Sequence, residues 1–136
     1  MLKPCNVNPQ NMISFYVGTG GILKGQLAMI DSDTAIDATE GQTTAILIGV
    51  AADDYDAGEV GQFYPLDGEF EMPIYQGDTI DDATDAMVGT GFDLYVNSTD
   101  HMLDLNDEAG EMFALMRYDN TRHVAWVRVV RALVWC

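Results

Sequence analysis

The chain has 136 residues, 48% of them hydrophobic, with 22 Asp and Glu against 6 Lys and Arg and a formal net charge of −16. That length suits one domain with a real core, and the apolar content excludes a chain disordered by composition. The charge argues against nucleic acid, whose phosphates reward clustered Lys and Arg, and against a membrane partner, since no stretch approaches the roughly 20 apolar residues of a span.

Residues 1–11 (MLKPCNVNPQN) are rich in Asn and Pro, and Pro4 and Pro9 discourage regular structure. They predict an extended N-terminal arm ahead of a single domain over 12–136. With no apolar signal core, the start reads as mature sequence. Met12–Val17 is dense in β-formers and predicts a first strand, and Gln26–Ile30 a second, closed by Asp31-Ser32-Asp33. Thr43–Ala51 is apolar on both faces and reads as a core strand. Glu59–Leu66, the Asp67-Gly68 pair and Glu69–Ile74 read as a hairpin. In its second arm Phe70, Met72 and Ile74 alternate with Glu69, Glu71 and Pro73, so one face is buried, and Pro73 marks an edge or a strand end.

Asp78–Met87 is the one candidate helix, capped by Asp78 with an acidic first turn. Phe92–Asn97 and Met102–Leu105 follow as strands. Met112–Arg117 and His123–Arg131 read as a closing hairpin around Asp119-Asn120. The sum is an all-β chain: a small antiparallel barrel or sandwich of about eight or nine short strands, with one short helix.

Few residues offer chemistry. Gly18–Gly25 invites a phosphate-loop reading and fails it, because Leu23 stands where Gly is needed before Lys24, and Gly25 where Ser or Thr is needed after it. His101 and His123 lie in separate segments, and no Ser, Cys or His is placed as an activated nucleophile. The acidic stretches 53–59 and 100–108 are candidates for calcium, but neither matches the twelve-residue calcium loop, and solvated acidic turns are the plainer reading. Cys5 and Cys136, one near each end, make neither a disulfide framework nor a tetrahedral metal site, although they can pair if the ends meet. No enzyme activity and no cofactor are expected.

Charge is unevenly distributed. Every Asp and Glu lies between Asp31 and Asp119, whereas Arg117, Arg122, Arg128 and Arg131 fall in the last twenty residues. An acidic body flanked by weakly basic ends reads either as a soluble body kept apart by self-repulsion or as ends that touch a partner. The last residues, through Leu133, Val134 and Trp135, are apolar to the end. They either close the barrel or make a subunit contact with Arg128 and Arg131, since Trp and Arg are favoured interface anchors.

The order of segments carries a resemblance. Gly25-Gln26-Leu27 leads a short strand, and Ile48-Gly49-Val50-Ala51 precedes a turn with Ala57-Gly58-Glu59. Val60–Leu66 then runs into Gly68-Glu69-Phe70-Glu71-Met72-Pro73, followed by Asp93–Asn97 and by Phe113-Ala114-Leu115 leading to an Arg-Val-Val strand. Over roughly residues 20–131 this resembles the small β-barrel capsid decoration, or cement, proteins of tailed bacteriophages. The resemblance implies a protein made in the host cytoplasm that adds to the outer surface of an assembled capsid. It would act as a homotrimer bridging subunits of the major capsid protein. An arm carrying Leu2, Lys3, Pro4, Val7, Pro9, Met12 and Phe15 then becomes the expected capsid contact, and Arg128, Arg131, Leu133, Val134 and Trp135 the subunit contact. Removing residues 1–11 is expected to leave the barrel folded. The other readings are a tail, baseplate or head-completion module, or a small cation-binding module.

Overall fold

The computed structural model describes residues 1–5, 11–38, 47–97, 99–108 and 112–130. The fold is all-β, as the strand pattern predicts. Its strands are β1 (Lys3–Pro4), β2 (Ile13–Tyr16), β3 (Leu27–Asp31), β4 (Thr34–Asp37), β5 (Leu47–Ala51), β6 (Val60–Tyr64), β7 (Glu69–Pro73), β8 (Gly91–Asn97), β9 (Asp100–Asp104), β10 (Phe113–Asp119) and β11 (Val124–Val129). They form two antiparallel sheets. One has six strands in the order β1-β7-β11-β10-β8-β9, and the other five in the order β2-β6-β5-β3-β4.

Each sheet curls toward closure through one isolated parallel bridge. In the six-stranded sheet Ile74 bridges Leu103, and Tyr75 N–H donates to the Leu103 carbonyl at 2.9 Å. In the five-stranded sheet Val17 bridges Ala35, and Gly18 N–H donates to the Ala35 carbonyl at 2.8 Å. Two apolar clusters result. The larger holds Phe70, Met72, Phe92, Phe113, Leu115 and Val127, with Leu27, Leu47 and Val50 reaching in from β3 and β5. The smaller, around Phe63, Ile48 and Val17, fills the curl of the five-stranded sheet. Strand β5 feeds both, which is why Leu47–Ala51 is buried throughout and carries no polar alternation. Gly61 makes room for the smaller cluster: a Cβ there would lie 2.9 Å from the Phe63 ring.

Four expectations change. The sequence pattern passes over β4, yet Ser32 and Asp33 both take positive φ (49° and 65°) and pair Asp31 with Thr34. That is the two-residue mirror-image turn that joins twisted antiparallel strands, here without its usual Gly.

The Asp67-Gly68 hairpin is not formed. β6 pairs with β2 and β5, whereas β7 pairs with β1 and β11, so the turn carries the chain from one sheet to the other. Neither Asp67 nor Gly68 takes positive φ. Pro65, which has no N–H to give to a ladder, ends β6 just before the crossing.

The helix over 78–87 shrinks to one 3-10 turn, Asp85–Met87, with no side-chain cap. Asp side chains compete with helical hydrogen bonds. Asp78 Oδ1 accepts from Thr79 N–H at 2.7 Å, and Asp81 Oδ1 accepts from Gly77 N–H at 2.9 Å. Two asparagines complete the override. The Asn106 amide bonds both the N–H and the carbonyl of Ile80 (2.8 and 3.1 Å), and Asn120 does the same to Ala83 (3.0 and 2.9 Å).

The arm is extended but docked. Leu2 is 1% exposed within the larger cluster, and its N–H donates to the Gly25 carbonyl at 2.8 Å. Lys3 and Pro4 pair with Glu71 and Phe70, and Cys5 N–H donates to the Glu69 carbonyl. Gly25, at φ +81°, leaves the space that the Met1 side chain occupies. The first five residues are therefore part of the folded body, and their removal would unpack it. Val7 and Pro9 of the arm lie outside the described residues.

Candidate functional site: a cationic face on the six-stranded sheet

Residues that alternate inward on β7, β10 and β11 supply the core, so their neighbours must face out. The register then aligns one row across four strands: Lys3 on β1 opposite Glu71 on β7, Glu71 opposite Trp126 on β11, and Trp126 opposite Arg117 on β10. A second row holds Glu69, Arg128 and Ala114. Arg117 reaches this face because of a bulge. The β10–β11 register shifts between Leu115 and Arg117, so Met116 is the extra residue and Arg117 faces Trp126.

The side chains interlock. The Arg117 guanidinium lies 4.5 Å from the Trp126 ring centroid, a cation–π arrangement, and its Nη2 is 3.7 Å from Glu69 Oε2. Glu71 Oε1 takes Arg122 Nη2 at 3.2 Å and Lys3 Nζ at 3.9 Å. The two carboxylates are mostly covered (14% and 17% exposed), whereas the Lys3, Arg117 and Arg122 side chains are more than half exposed. Of the six Lys and Arg, five lie among the described residues, and four of these, Lys3, Arg117, Arg122 and Arg128, stand on this face. It is an excess-positive patch centred on a half-buried Trp, on a chain of net charge −16. Its potential complements that of a negatively charged surface.

The expected contact residues separate on this map. Lys3, expected at the capsid contact, and Arg128, expected at the subunit contact, share the face. Leu2 is core, and Pro4 is spent pairing with Phe70. Phe15 turns inward and packs against the smaller cluster; Met12 is half-buried. Their neighbour Tyr16 is the exposed one, opposite Val60, at 63% and 50% exposure. Arg131, Leu133, Val134 and Trp135 lie outside the described residues. Sequence reasoning missed Trp126 as the centre of this face; Arg117 and Arg122 were visible in sequence only as part of the basic bias of the last twenty residues.

Elsewhere, polar groups serve the fold. His101 is 1% exposed, and its Nδ1 accepts the Leu27 N–H at 3.0 Å. Burial lowers its pKa to about 4, with Asp37 and Asp100 opposing the shift and the amino group of Met1 adding to it. Buried Gln26 bridges two loops, accepting from Leu23 N–H and donating to the Thr99 carbonyl. Tyr75 and Tyr95 stack at 3.8 Å, and the Tyr75 phenol is pushed up, first by its hydrogen bond with Tyr95 and then by burial. Tyr118 is raised by its 2.6 Å hydrogen bond to Asp85. In the acidic stretches, Asp53, Asp54 and Asp104 accept backbone N–H groups. Among the described residues no three His, Cys, Asp or Glu converge on a cation position. Two open hollows lie at the surface, about 240 Å³ beside Lys3 and Glu71 and about 420 Å³ beside Thr90 and Glu108; in the second, the Thr90 hydroxyl donates to the Met87 carbonyl at 2.6 Å.

No family model, curated protein or solved structure matches the chain.

Proposed function

We propose that this protein is a non-enzymatic capsid decoration protein. It binds the outer surface of an assembled viral head as a homotrimer and stabilises the shell by bridging major capsid protein subunits, after synthesis in the host cytoplasm. The observation that carries this reading is the segregation of charge on an all-β body: four cations and Trp126 gathered on one sheet face of a strongly acidic chain. A molecule built this way acts by fitting a surface, and repetition on a symmetric shell turns modest contacts into strong attachment. The segment order from Gly49 to Pro73, which resembles the phage cement proteins, supports the same assignment.

The test is to add the purified protein to heads lacking it and to separate particles from free protein by sedimentation. Saturable co-sedimentation, with extra density outside the shell in electron micrographs and greater resistance of the particles to heat, is the expected result. Density in the tail or baseplate, or no binding at saturating protein, overturns it.

A further inference from the structure

The cationic face has a complement on the same molecule. The loop from Asp53 to Glu59 carries four acids, Asp53, Asp54, Asp56 and Glu59, all exposed. It is tied to the end of β2: Gly58 N–H donates to the Val17 carbonyl, and Val17 N–H to the Glu59 carbonyl. This places the acids beside Tyr16 and Val60, a directly opposed cross-strand pair among the most exposed large hydrophobic residues of the described chain. Lys24, the fifth described cation, borders the loop through its N–H to Asp54 Oδ1 and leaves the patch negative. The molecule thus bears two patches of opposite sign, each with an apolar centre, on different sheets.

We infer that these two patches meet between copies: the Trp126 face of one molecule seats the Tyr16–Val60 patch and the Asp53–Glu59 loop of the next. Pairing of the face with its own copy is disfavoured, because the excess of Lys3, Arg117, Arg122 and Arg128 over Glu69 and Glu71 would meet the same positive excess. A contact between two different patches is heterologous, and only heterologous contacts can build a closed ring such as a trimer, or an open filament where the rotation does not close, whereas a self-complementary patch gives only pairs. For a chain of net charge −16, general repulsion opposes any association. Contact of the positive face with the negative patch is the arrangement that offsets it locally. The inference rests on the proposed function and refines it: the Trp126 face is assigned to the contact between copies of the homotrimer, and the shell is gripped by the other surfaces of the assembled unit.

Charge reversal in the full chain tests it. Sedimentation velocity at roughly 100 µM should show the wild type associated, since a working contact of modest affinity (about 1 µM) is populated there. Arg122→Glu with Arg128→Glu should weaken association at least ten-fold, as should Asp56→Lys with Glu59→Lys. Each pair is checked for fold by circular dichroism. Mixing the two otherwise monomeric variants should restore association, because the reversed face of one then meets the reversed loop of the other. A monomeric wild type, association that survives either reversal, or a mixture that stays monomeric overturns the inference. Head binding is scored separately: a monomer that still coats heads sinks this contact and the homotrimer but leaves decoration standing, and an associated protein that ignores heads sinks decoration but leaves this contact standing.

Discussion

The backbone N–H of Leu27 donates to Nδ1 of His101 at 3.0 Å and so ties β3 of the five-stranded sheet to β9 of the six-stranded one. The imidazole must be neutral to accept, which places its proton on Nε2. That atom is buried and meets no acceptor among the described residues. A protonated ring would lose the Leu27 bond and bury a charge. This is the physical content of a pKa lowered to about 4 from 6.5.

A pH dependence follows. The unfolded chain takes up the His101 proton near pH 6.5 and the folded chain only near pH 4, so between those values unfolding gains a proton and stability falls as pH falls. Above 6.5 both forms are neutral, and below 4 both are charged, so the loss stops there. The full span is worth about 3 kcal/mol. In His101→Asn this part of the loss between pH 6.5 and 4 should vanish, read as the difference between wild-type and variant urea stabilities at pH 7 and pH 5. An equal fall in both proteins would refute it.

Leu2 is core despite lying at the second position. Leu2→Ala should cost about 2–4 kcal/mol in urea unfolding, the range for emptying a well-packed site. A cost below about 0.5 kcal/mol, typical of surface positions, would show that the first strand is dispensable.

The asparagine clamps hold the segment from Ile80 to Ala83 away from helix. Asn106→Ala should speed hydrogen exchange at the Ile80 amide, and Asn120→Ala at the Ala83 amide. Asn120→Ala, whose bonds are part-buried, should cost about 1 kcal/mol, and Asn106→Ala less, because water can replace its exposed bonds. Unchanged exchange at both amides would contradict the clamp.

The cationic face should contribute little to stability. Arg117→Gln removes the stacking on Trp126 and the pair with Glu69, yet the side chain is 59% exposed. The loss should therefore stay within about 1 kcal/mol by thermal or urea unfolding. A larger loss would make the face a structural brace and weaken its reading as a docking surface.

Alternation and composition by themselves determined the all-β class and most of the strands. They also determined that Phe70, Met72 and Ile74 point inward, because a period of two and a run of β-formers are local properties of the chain. The gathering of cations was half legible as a basic bias near the end. Tertiary structure alone decided the rest. The bulge at Met116 turns Arg117 toward Trp126, and pairing between β1 and β7 brings Lys3 within reach of Glu71 from nearly seventy residues away in sequence. The side chains of Asn106 and Asn120 overrode a plausible helix, and the Asp67-Gly68 turn crossed between sheets because Pro65 had already ended the ladder. The bulge, the arm and the asparagine clamps depend on partners distant in sequence, and although Pro65 is local, which sheet receives β7 is decided by its distant partners β1 and β11.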